Sequence, residues 1–446
     1  MLRVLGDGCA NRTPKVVSVA ATLQRSTVMS AAILAMMLAW ALPAAAKDYY
    51  VNSQTGSDAN QGTSTDPFRS FTRAVSMLAP GDKLIVAGGR YAERLIMTKS
   101  GTIQQPIIIV GEGRPLIEAE EDAILISGSY VEISGFEAHA IGLGSAITVG
   151  KRNHHVRVAD NITRDSGCGG IALLQNDYVT IENNRVFGNS RRSPWQCSGI
   201  SIYQAIKFDR AMGVHNIIRR NIVYDNMNIF VDNKITNSDG KTTDGNGIII
   251  DDTRHTQGGL SDPAYDGLTV IENNIVFDNG GRGINVFTSD HVIVRNNTSY
   301  HNLKDPNLGW RQSQGEFMAV NASDVSFINN IAVPRDSSVS GFVDAQPDAN
   351  NVWDFNLIQG GAMLEGLSSR KDWGSHNIFE PAGVNFVAPS VNPQTADFHL
   401  LQGSRAIGVG DVGNAPSQDF AGALRPYLGP IDLGALQMSV AGNQQK

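Results

Sequence analysis

Asparagines recur along this chain in nearly the same setting, and their spacing constrains the fold more than any other feature. A short apolar strand precedes each of seven such residues: Asn161, Asn184, Asn221, Asn274, Asn297, Asn330 and Asn356. From Asn274 to Ile284 the distance is 10 residues, and from Ile284 to Asn297 it is 13 residues. The sum, about 23 residues, is typical of one coil of a parallel β-helix. The pattern therefore predicts an all-β solenoid in which these asparagines stack, in a turn whose left-handed backbone Asn tolerates.

Composition and charge agree with a solenoid and argue against one class of partner. The chain has 446 residues, of which 46 are glycine and 18% are charged, a balance that suits short strands and turns. Its net charge is −7, so we expect no nucleic-acid partner that binds through released counterions. Solenoids of this kind are commonly monomeric, and we expect a monomer.

The first 46 residues have the pattern of an export signal. Lys15 and Arg25 precede an uncharged run that ends Pro43-Ala44-Ala45-Ala46. Small residues at such a position indicate a cleavage site rather than a spanning helix. We therefore predict a secreted or periplasmic protein with no membrane segment after signal cleavage, and a disordered tail over 439–446.

Two cysteines lie at equivalent positions of neighbouring coils. Cys168 and Cys197 each stand three residues before a strand isoleucine, Ile171 and Ile200. Stacked strands are about 4.8 Å apart, a separation that a disulfide tolerates. The pattern is compatible with a bridge in an oxidising compartment and with two free stacked thiols.

The region after the signal carries a resemblance to a known family. Tyr49-Tyr-Val-Asn-Ser precedes a helical pattern from Arg69 to Leu78, which ends before Pro80-Gly81. This block resembles the opening of bacterial right-handed parallel β-helix proteins, including the pectate lyase L type of polysaccharide lyase. We therefore expect a right-handed parallel β-helix with a short N-terminal capping helix. Its predicted segments are an N-terminal cap and first coil, coils with groove-forming loops, and C-terminal coils with closing strands: 47–106, 107–360 and 361–438.

Departures from the 23-residue baseline predict a groove. The distances from Ile200 to Asn221 and from Ile248 to Asn274 are 21 and 26 residues, and that from Asn221 to Ile248 is 27. The additional residues therefore flank one column of strands on both sides. Because loops on a rigid scaffold commonly carry function, we expect a substrate groove between them.

Acidic residues cluster on and around one strand of that column. Ile248 and Ile250 should point inward, so Asp251 faces outward and Asp252 begins the next turn. Together with Asp244, these acids are candidate ligands for Ca²⁺, which prefers several oxygen ligands. Asp239 is better interpreted as a turn residue. The same acids also suit an acid–base pair.

Cationic and polar residues near this strand complete the predicted site. Arg282 lies among glycines one coil later, where it can reach a substrate carboxylate, or form an ion pair with Asp244 or Glu316. The candidate catalytic residues are Arg282, His255, Lys207 and Arg254. The candidate substrate-binding residues are Asn285, Glu316, Tyr203 and Arg210.

We predict β-elimination in a uronate-containing acidic polysaccharide. This reaction needs neutralisation of the C6 carboxylate, a base for the C5 proton and stabilisation of the leaving oxygen. The resemblance implies aspartates that bind Ca²⁺ and a lysine base, but the strand Gly283-Ile-Asn-Val-Phe carries no lysine. Alternatives are a β-helical glycoside hydrolase, a uronate C5-epimerase and a non-catalytic β-helix that binds exopolysaccharide. The elimination hypothesis predicts that Asp252→Ala or Arg282→Ala abolishes activity.

Overall fold

The structure is a computed structural model in which residues 45–229, 241–345, 350–360, 363–365 and 373–438 are described. The predicted signal and tail lie outside these residues, except for residues 45 and 46. The predicted division into segments remains a prediction. None of the helices in these ranges is long and apolar enough to cross a membrane.

Three parallel sheets, here called sheets I, II and III, form the faces of a right-handed β-helix, as predicted. Each coil contributes one strand to each sheet in the order I, II, III, because the apolar segments of the sequence recur three times per coil. The strands of sheet I are Asp48–Val51, Lys83–Ala87, Ile107–Glu112, Val131–Ser134, His154–Ala159, Asp177–Glu182, Val214–Arg219, Leu268–Glu272, Val292–Arg295, Val325–Ile328 and Val352–Asp354.

Sheets II and III follow the same stacking. The strands of sheet II are Arg90–Tyr91, Leu116–Ala119, Glu137–Ala140, Ile162–Arg164, Arg185–Phe187, Ile222–Tyr224, Ile275–Phe277, Thr298–Tyr300, Ile331–Val333, Leu357–Ile358 and Ile378–Phe379. The strands of sheet III are Leu95–Met97, Ile124–Ile126, Ile147–Val149, Ile171–Leu174, Ile200–Tyr203, Ile248–Asp251, Ile284–Phe287, Gly315–Val320, Ser340–Ala345 and Met363–Glu365. Alternate residues of these strands point into one continuous apolar core.

The predicted asparagine ladder lies at the turn between sheets I and II. The Oδ1 atom of Asn221 accepts hydrogen bonds from both the backbone N–H and the side-chain amide of Asn184, each at 3.0 Å. The same pair of bonds joins each of the other neighbouring asparagines. The left-handed residue is the one before each ladder asparagine, for example Asn183 with φ 57° and Arg220 with φ 55°. The asparagines thus satisfy backbone donors that the turn leaves without a partner.

A second ladder, not predicted, lies at the turn between sheets II and III. Asn189, Asn226, Asn279 and Asn302 are fully buried, and each Oδ1 after the first accepts from the preceding asparagine. Its last member, Asn302, donates instead to the carboxylate of Glu316.

The structure contains a disulfide between two neighbouring coils and the predicted N-terminal helix. Cys168 and Cys197 form a disulfide with a Cα–Cα distance of 5.3 Å, which resolves the two possibilities in favour of the bridge. The helix spans Phe71–Met77, and the Ser70 side chain caps it by accepting from the Arg73 N–H. Phe71 is buried and stacks on Tyr91 of the first coil. That the helix caps the end of the solenoid remains a prediction.

The C-terminal residues form a second layer on the outer face of sheet II. An antiparallel pair, Phe386–Ala388 and Asp397–Leu400, packs with Leu433 against Tyr224, Phe277 and Ile331. Short 3-10 turns at Arg311–Ser313 and Val412–Asn414 are the remaining helical elements among the described residues. The described C-terminal residues of this layer therefore pack against sheet II.

Candidate active site

Sheet III is the strand column that the loop lengths predicted, and a cavity of about 560 Å³ lies on its outer face. Its floor is formed by outward residues of neighbouring strands: Ile249, Asp251, Asn285, Phe287 and Met318. Its walls come from the loops that enter sheet III and from the loop that leaves it: Thr243, Asp244, Arg282, Trp310, Gln314 and Gln257. The loops therefore enclose a site where the sequence predicted a groove.

Asp251 stands on the floor of this cavity, as its position in the strand predicted. Ile248 and Ile250 are in the core, so Asp251 faces outward between them and the turn. Gln257 Nε2 donates to its Oδ1 at 3.2 Å. Burial, together with the nearby carboxylates of Asp244 and Asp252, raises the pKa of Asp251 to about 7. A carboxyl group with that pKa exchanges protons readily near neutral pH.

Arg282 lies beside Asp244 in the wall of the cavity. Its Nε donates to Gln314 Oε1 at 2.6 Å, and its Nη1 donates to the carbonyl oxygen of Thr243. Burial lowers the pKa of Arg282 to about 10, and Asp244 opposes that shift. Within the described residues, Nη2 makes no hydrogen bond. Nη1 also donates to Asn246 Oδ1 at 3.5 Å, so the guanidinium is held by three neutral acceptors and retains one amino group for a ligand.

Asp244 completes the charged part of the cavity. Its Oδ1 accepts from Asn246 Nδ2 at 2.8 Å and its Oδ2 accepts from Thr243 Oγ1 at 2.9 Å. Burial raises the pKa of Asp244, while Arg282 and these two hydrogen bonds oppose the shift. Asp244, Asp251 and Arg282 thus form one electrostatically coupled group, although they come from two coils.

Asn285 adds a polar atom that the protein does not satisfy. It is 2% exposed and lies on the cavity floor, and its Oδ1 has no hydrogen-bond partner among the described residues. Buried polar atoms without a partner are uncommon in native proteins. This oxygen is therefore available to a donor group of a bound substrate.

Asp252 is not among the residues that line the cavity, and its role as a metal ligand stays a prediction. It is fully buried in the turn after the strand, with φ 52°. Its carboxylate accepts from the N–H of Thr256 and Gln257, from Thr256 Oγ1 and from Gln204 Nε2. These four donors hold the following loop in place and occupy the oxygens that a metal would need.

Glu316 is also turned away from the groove. It is fully buried, and its carboxylate accepts from Ser299 Oγ at 2.6 Å and from Asn302 N at 2.9 Å. Burial raises the pKa of Glu316 to about 7. The carboxylate points toward the turn between sheets II and III, so Glu316 ends the second ladder inside the solenoid.

The other predicted bases are held by structural contacts. Arg254 forms an ion pair with Asp290 at 2.7 Å and donates to Ser323. Both ring nitrogens of His255 face carbonyl oxygens, at 3.0 Å and 2.8 Å. Lys207 pairs with Asp266 at 2.8 Å. None of these three side chains lines the cavity, so the structure does not bring them to the predicted site.

Of the predicted substrate-binding residues, Tyr203 lies next to Asp251 and Arg210 lies in an exposed loop. Tyr203 lies beside Asp251 on the neighbouring strand of sheet III, and burial followed by the charges of Asp251 and Asp252 raises its pKa. Arg210 is exposed in the loop after that strand and makes no ion pair with the described residues. Asp239 lies outside the described residues.

The two glutamines that position the charged groups were not among the predicted site residues. Gln257 contacts Asp251 and Gln314 contacts Arg282, and each belongs to a loop whose path the sequence does not reveal. The wall also carries Trp310, which is 70% exposed and offers a flat apolar face to a sugar ring.

The donor set does not fit the predicted calcium site. Among the described residues, no group of three or more His, Cys, Asp or Glu side chains converges to hold a metal ion. Asp244 and Asp251 remain as carboxylates in the cavity, but the guanidinium of Arg282 lies beside Asp244. Ca²⁺ takes six to eight oxygen ligands, and a fixed cation next to two carboxylates works against a second cation.

Comparisons with known proteins agree with this architecture. Residues 49–321 match the family model described as "Pel9A-like, right handed beta helix region". Pectate lyase L of Thermoclostridium stercorarium is 27% identical over 315 residues, covering 64% of this chain and 25% of the relative. The uncharacterized protein YwoF of Bacillus subtilis (strain 168) is 33% identical over 134 residues, covering 25% of this chain and 29% of the relative.

This chain therefore spans less than a third of the length of either curated relative. Among solved structures, pectate lyase Pel9A aligns over 88% of this chain and 96% of its own, with 16% identity and a TM-score of 0.47. The family match covers more than half of the sequence, from the first strand of sheet I to the sheet III strand Gly315–Val320. The chain belongs to the Pel9A-like right-handed β-helix family.

Proposed function

We propose that this protein is an exported polysaccharide lyase that cleaves a uronate-containing polysaccharide by β-elimination in the cavity on sheet III. The observation that carries the proposal is the coupled group of Asp251, Asp244 and Arg282, which lies beside the unsatisfied oxygen of Asn285. The relative named pectate lyase L and the Pel9A-like family support the reaction class. The disulfide supports export, because disulfides persist in oxidising compartments.

Each chemical requirement of the reaction has a candidate residue. Arg282 binds the C6 carboxylate of the substrate and withdraws charge from it, which acidifies the C5 proton. Asp251, in its ionised form, takes that proton as the C5–H bond breaks. The C4–O4 bond then breaks, a C4=C5 double bond forms, and the leaving oxygen takes a proton from the Tyr203 hydroxyl. No step in this scheme passes through a metal ion.

A second function has its own supporting observation. Two carboxyl groups, Asp244 and Asp251, share one cavity, and burial raises both pKa values. Most glycoside hydrolases use a pair of carboxyl groups with separate acid and base roles. In that reaction Asp251 donates a proton to the glycosidic oxygen and Asp244 activates water.

Product analysis distinguishes the two reactions. Purified protein is incubated with pectate, alginate, glycosaminoglycans and bacterial exopolysaccharides, each with and without a chelator. The lyase proposal expects products with an ultraviolet-absorbing unsaturated end. Native protein should form them equally with and without the chelator, and Arg282→Ala protein should form none. Reducing ends without that absorbance would establish the hydrolase, and a changed polymer of constant length would establish an epimerase. If the polymers are bound but unchanged, the chain is an exopolysaccharide-binding protein.

A further inference from the structure

We propose a second carbohydrate-binding site on the outer face of sheet II, where the C-terminal layer ends. Two neighbouring cavities of about 510 Å³ and 420 Å³ lie there, and both are lined by Arg185, Tyr224 and Pro393. They lie on a different sheet from the catalytic cavity. The ligand that we infer is an acidic sugar chain, and only the choice of uronate as the acid rests on the proposed function.

The aromatic rings of this face form a regular stack. Phe187 and Tyr224 lie on successive coils with ring centroids 4.9 Å apart and planes 2° apart, and Phe277 continues the stack at 4.9 Å. The C-terminal layer buries Tyr224 and Phe277, but Phe187 remains half-buried at the edge of the larger cavity. An aromatic ring with one accessible face is a suitable surface for the apolar face of a sugar.

Arg185 supplies the charge at this position. Its guanidinium carbon lies 5.3 Å from the centre of the Phe187 ring and 5.4 Å from that of Tyr224, and its Nε donates to the Tyr224 hydroxyl at 2.9 Å. These contacts fix the direction of the side chain without neutralising it. The remaining amino groups of the guanidinium are therefore oriented for a bidentate contact with a carboxylate.

The other cations of the cavity are already paired, which makes Arg185 distinctive. Arg164 pairs with Glu137 and Asp165, and Lys304 pairs with Asp225 and Asp278. Arg185 has no carboxylate within ion-pair distance among the described residues. A uronate carboxylate would therefore meet one cation that no protein carboxylate neutralises, beside Phe187 and the apolar side chains of Ile162 and Val391.

The test measures binding separately from catalysis. Arg282→Ala protein, in which the groove is disabled, is titrated by calorimetry with hexasaccharides of galacturonate, alginate and hyaluronan, and with neutral xylohexaose. We expect at least one acidic hexasaccharide to bind and xylohexaose not to bind. Adding Arg185→Ala should weaken binding about tenfold, equivalent to about 1.4 kcal/mol. Adding Gln394→Trp should have a similar effect, because it fills the larger cavity without removing Arg185.

Arg405→Ala is the matched control. Arg405 is an exposed arginine of the C-terminal layer that pairs with Glu380, and its removal should leave binding unchanged. Circular dichroism and the thermal midpoint show whether each variant is folded. The proposal is overturned if none of the acidic hexasaccharides binds at about 10 mM, or if Arg185→Ala leaves the affinity within about twofold. It is equally overturned if xylohexaose binds as well as the acids.

The binding and lyase results are distinguishable. Arg185→Ala in otherwise native protein should keep its turnover of short acidic oligosaccharides, because sheet II does not contribute to the catalytic cavity. Arg185-dependent binding without any unsaturated product would remove the proposed function and leave the second site standing. Unsaturated product without Arg185-dependent binding would overturn the second site and leave the proposed function standing.

Discussion

Single residues on the floor and wall of the cavity decide its chemistry, and their environment matters more than their identity. Asp251 and Asp252 are adjacent and chemically identical, yet one faces the groove and the other holds a turn. Glu316 and Arg282 were expected to meet across coils, but the carboxylate of Glu316 is buried inside the solenoid, where it accepts from Ser299 and Asn302. The sequence therefore identifies the cluster of acidic residues but not which of them line the cavity.

Arg282 provides the sharpest residue-scale prediction. We expect Arg282→Ala to lower kcat/KM about 100-fold or more, because the substrate carboxylate loses the cation that binds it. The rate of formation of unsaturated product measures the effect, with Arg405→Ala as the exposed control.

The substitution also removes the hydrogen bonds that Arg282 donates to Gln314 and Thr243, so circular dichroism must confirm that the variant is folded. Full activity in a folded variant would contradict the assigned role.

The pH profile tests the role of Asp251. Its raised pKa means that the basic form is present only above about pH 7, so lyase kcat/KM should rise as the pH increases through 7. The rate should fall again as the pH approaches about 10, where Arg282 loses its proton. In Asp251→Asn protein the limb near pH 7 should disappear together with most of the activity. A rate that falls above pH 7 would favour the proton-donor role of the hydrolase.

At the scale of elements, loops of unequal length on identical coils create the site. The strands of sheet III repeat with little variation, but the loops that enter and leave them carry Asp244, Arg282, Gln314 and Gln257. Loop length can be read from the sequence, and the cavity lies on the strand column that the longer loops flank. The path of each loop depends on contacts such as those of Asp252, which no repeat pattern contains.

Asp252 should therefore behave as a structural residue. We expect Asp252→Ala to lower the free energy of unfolding by about 2–3 kcal/mol, because four hydrogen-bond donors lose their acceptor inside the protein. Urea unfolding gives the value, and proteolysis within 253–267 should become faster. Asp251→Ala is the control, since Asp251 accepts one hydrogen bond. Unchanged stability with lost activity would contradict this structural role and favour the prediction of Asp252 as a metal ligand.

At the scale of the whole molecule, two asparagine ladders and one disulfide fix the coils against one another. Each ladder residue satisfies backbone groups of its neighbour, so the turns form a continuous hydrogen-bonded column. The disulfide joins the two coils where the first long loop enters the groove sheet. Stability in a stacked repeat depends on such contacts between neighbouring units.

Removal of the disulfide should measure that contribution. Replacing Cys168 and Cys197 with serine opens a link across 29 residues. The chain-entropy relation then predicts a loss of about 3.6 kcal/mol in the free energy of unfolding. Urea denaturation of the variant and of wild type, each with and without reductant, checks the value. A reductant should destabilise wild type alone, and equal effects on both proteins would refute the prediction.

The periodic properties of this protein could be predicted from the sequence: the parallel coils, the asparagine ladder between sheets I and II, and the inward and outward faces of each strand. These follow from local spacing, because every coil repeats the same steric and hydrophobic requirements. Only the folded chain shows which acids face the cavity and that the guanidinium of Arg282 lies beside Asp244. It also shows that, among the described residues, Asn285 Oδ1 has no hydrogen-bond partner and Arg185 no ion-pair partner. Those properties depend on loops and on burial, which bring distant residues together and change their pKa values without leaving a repeat in the sequence.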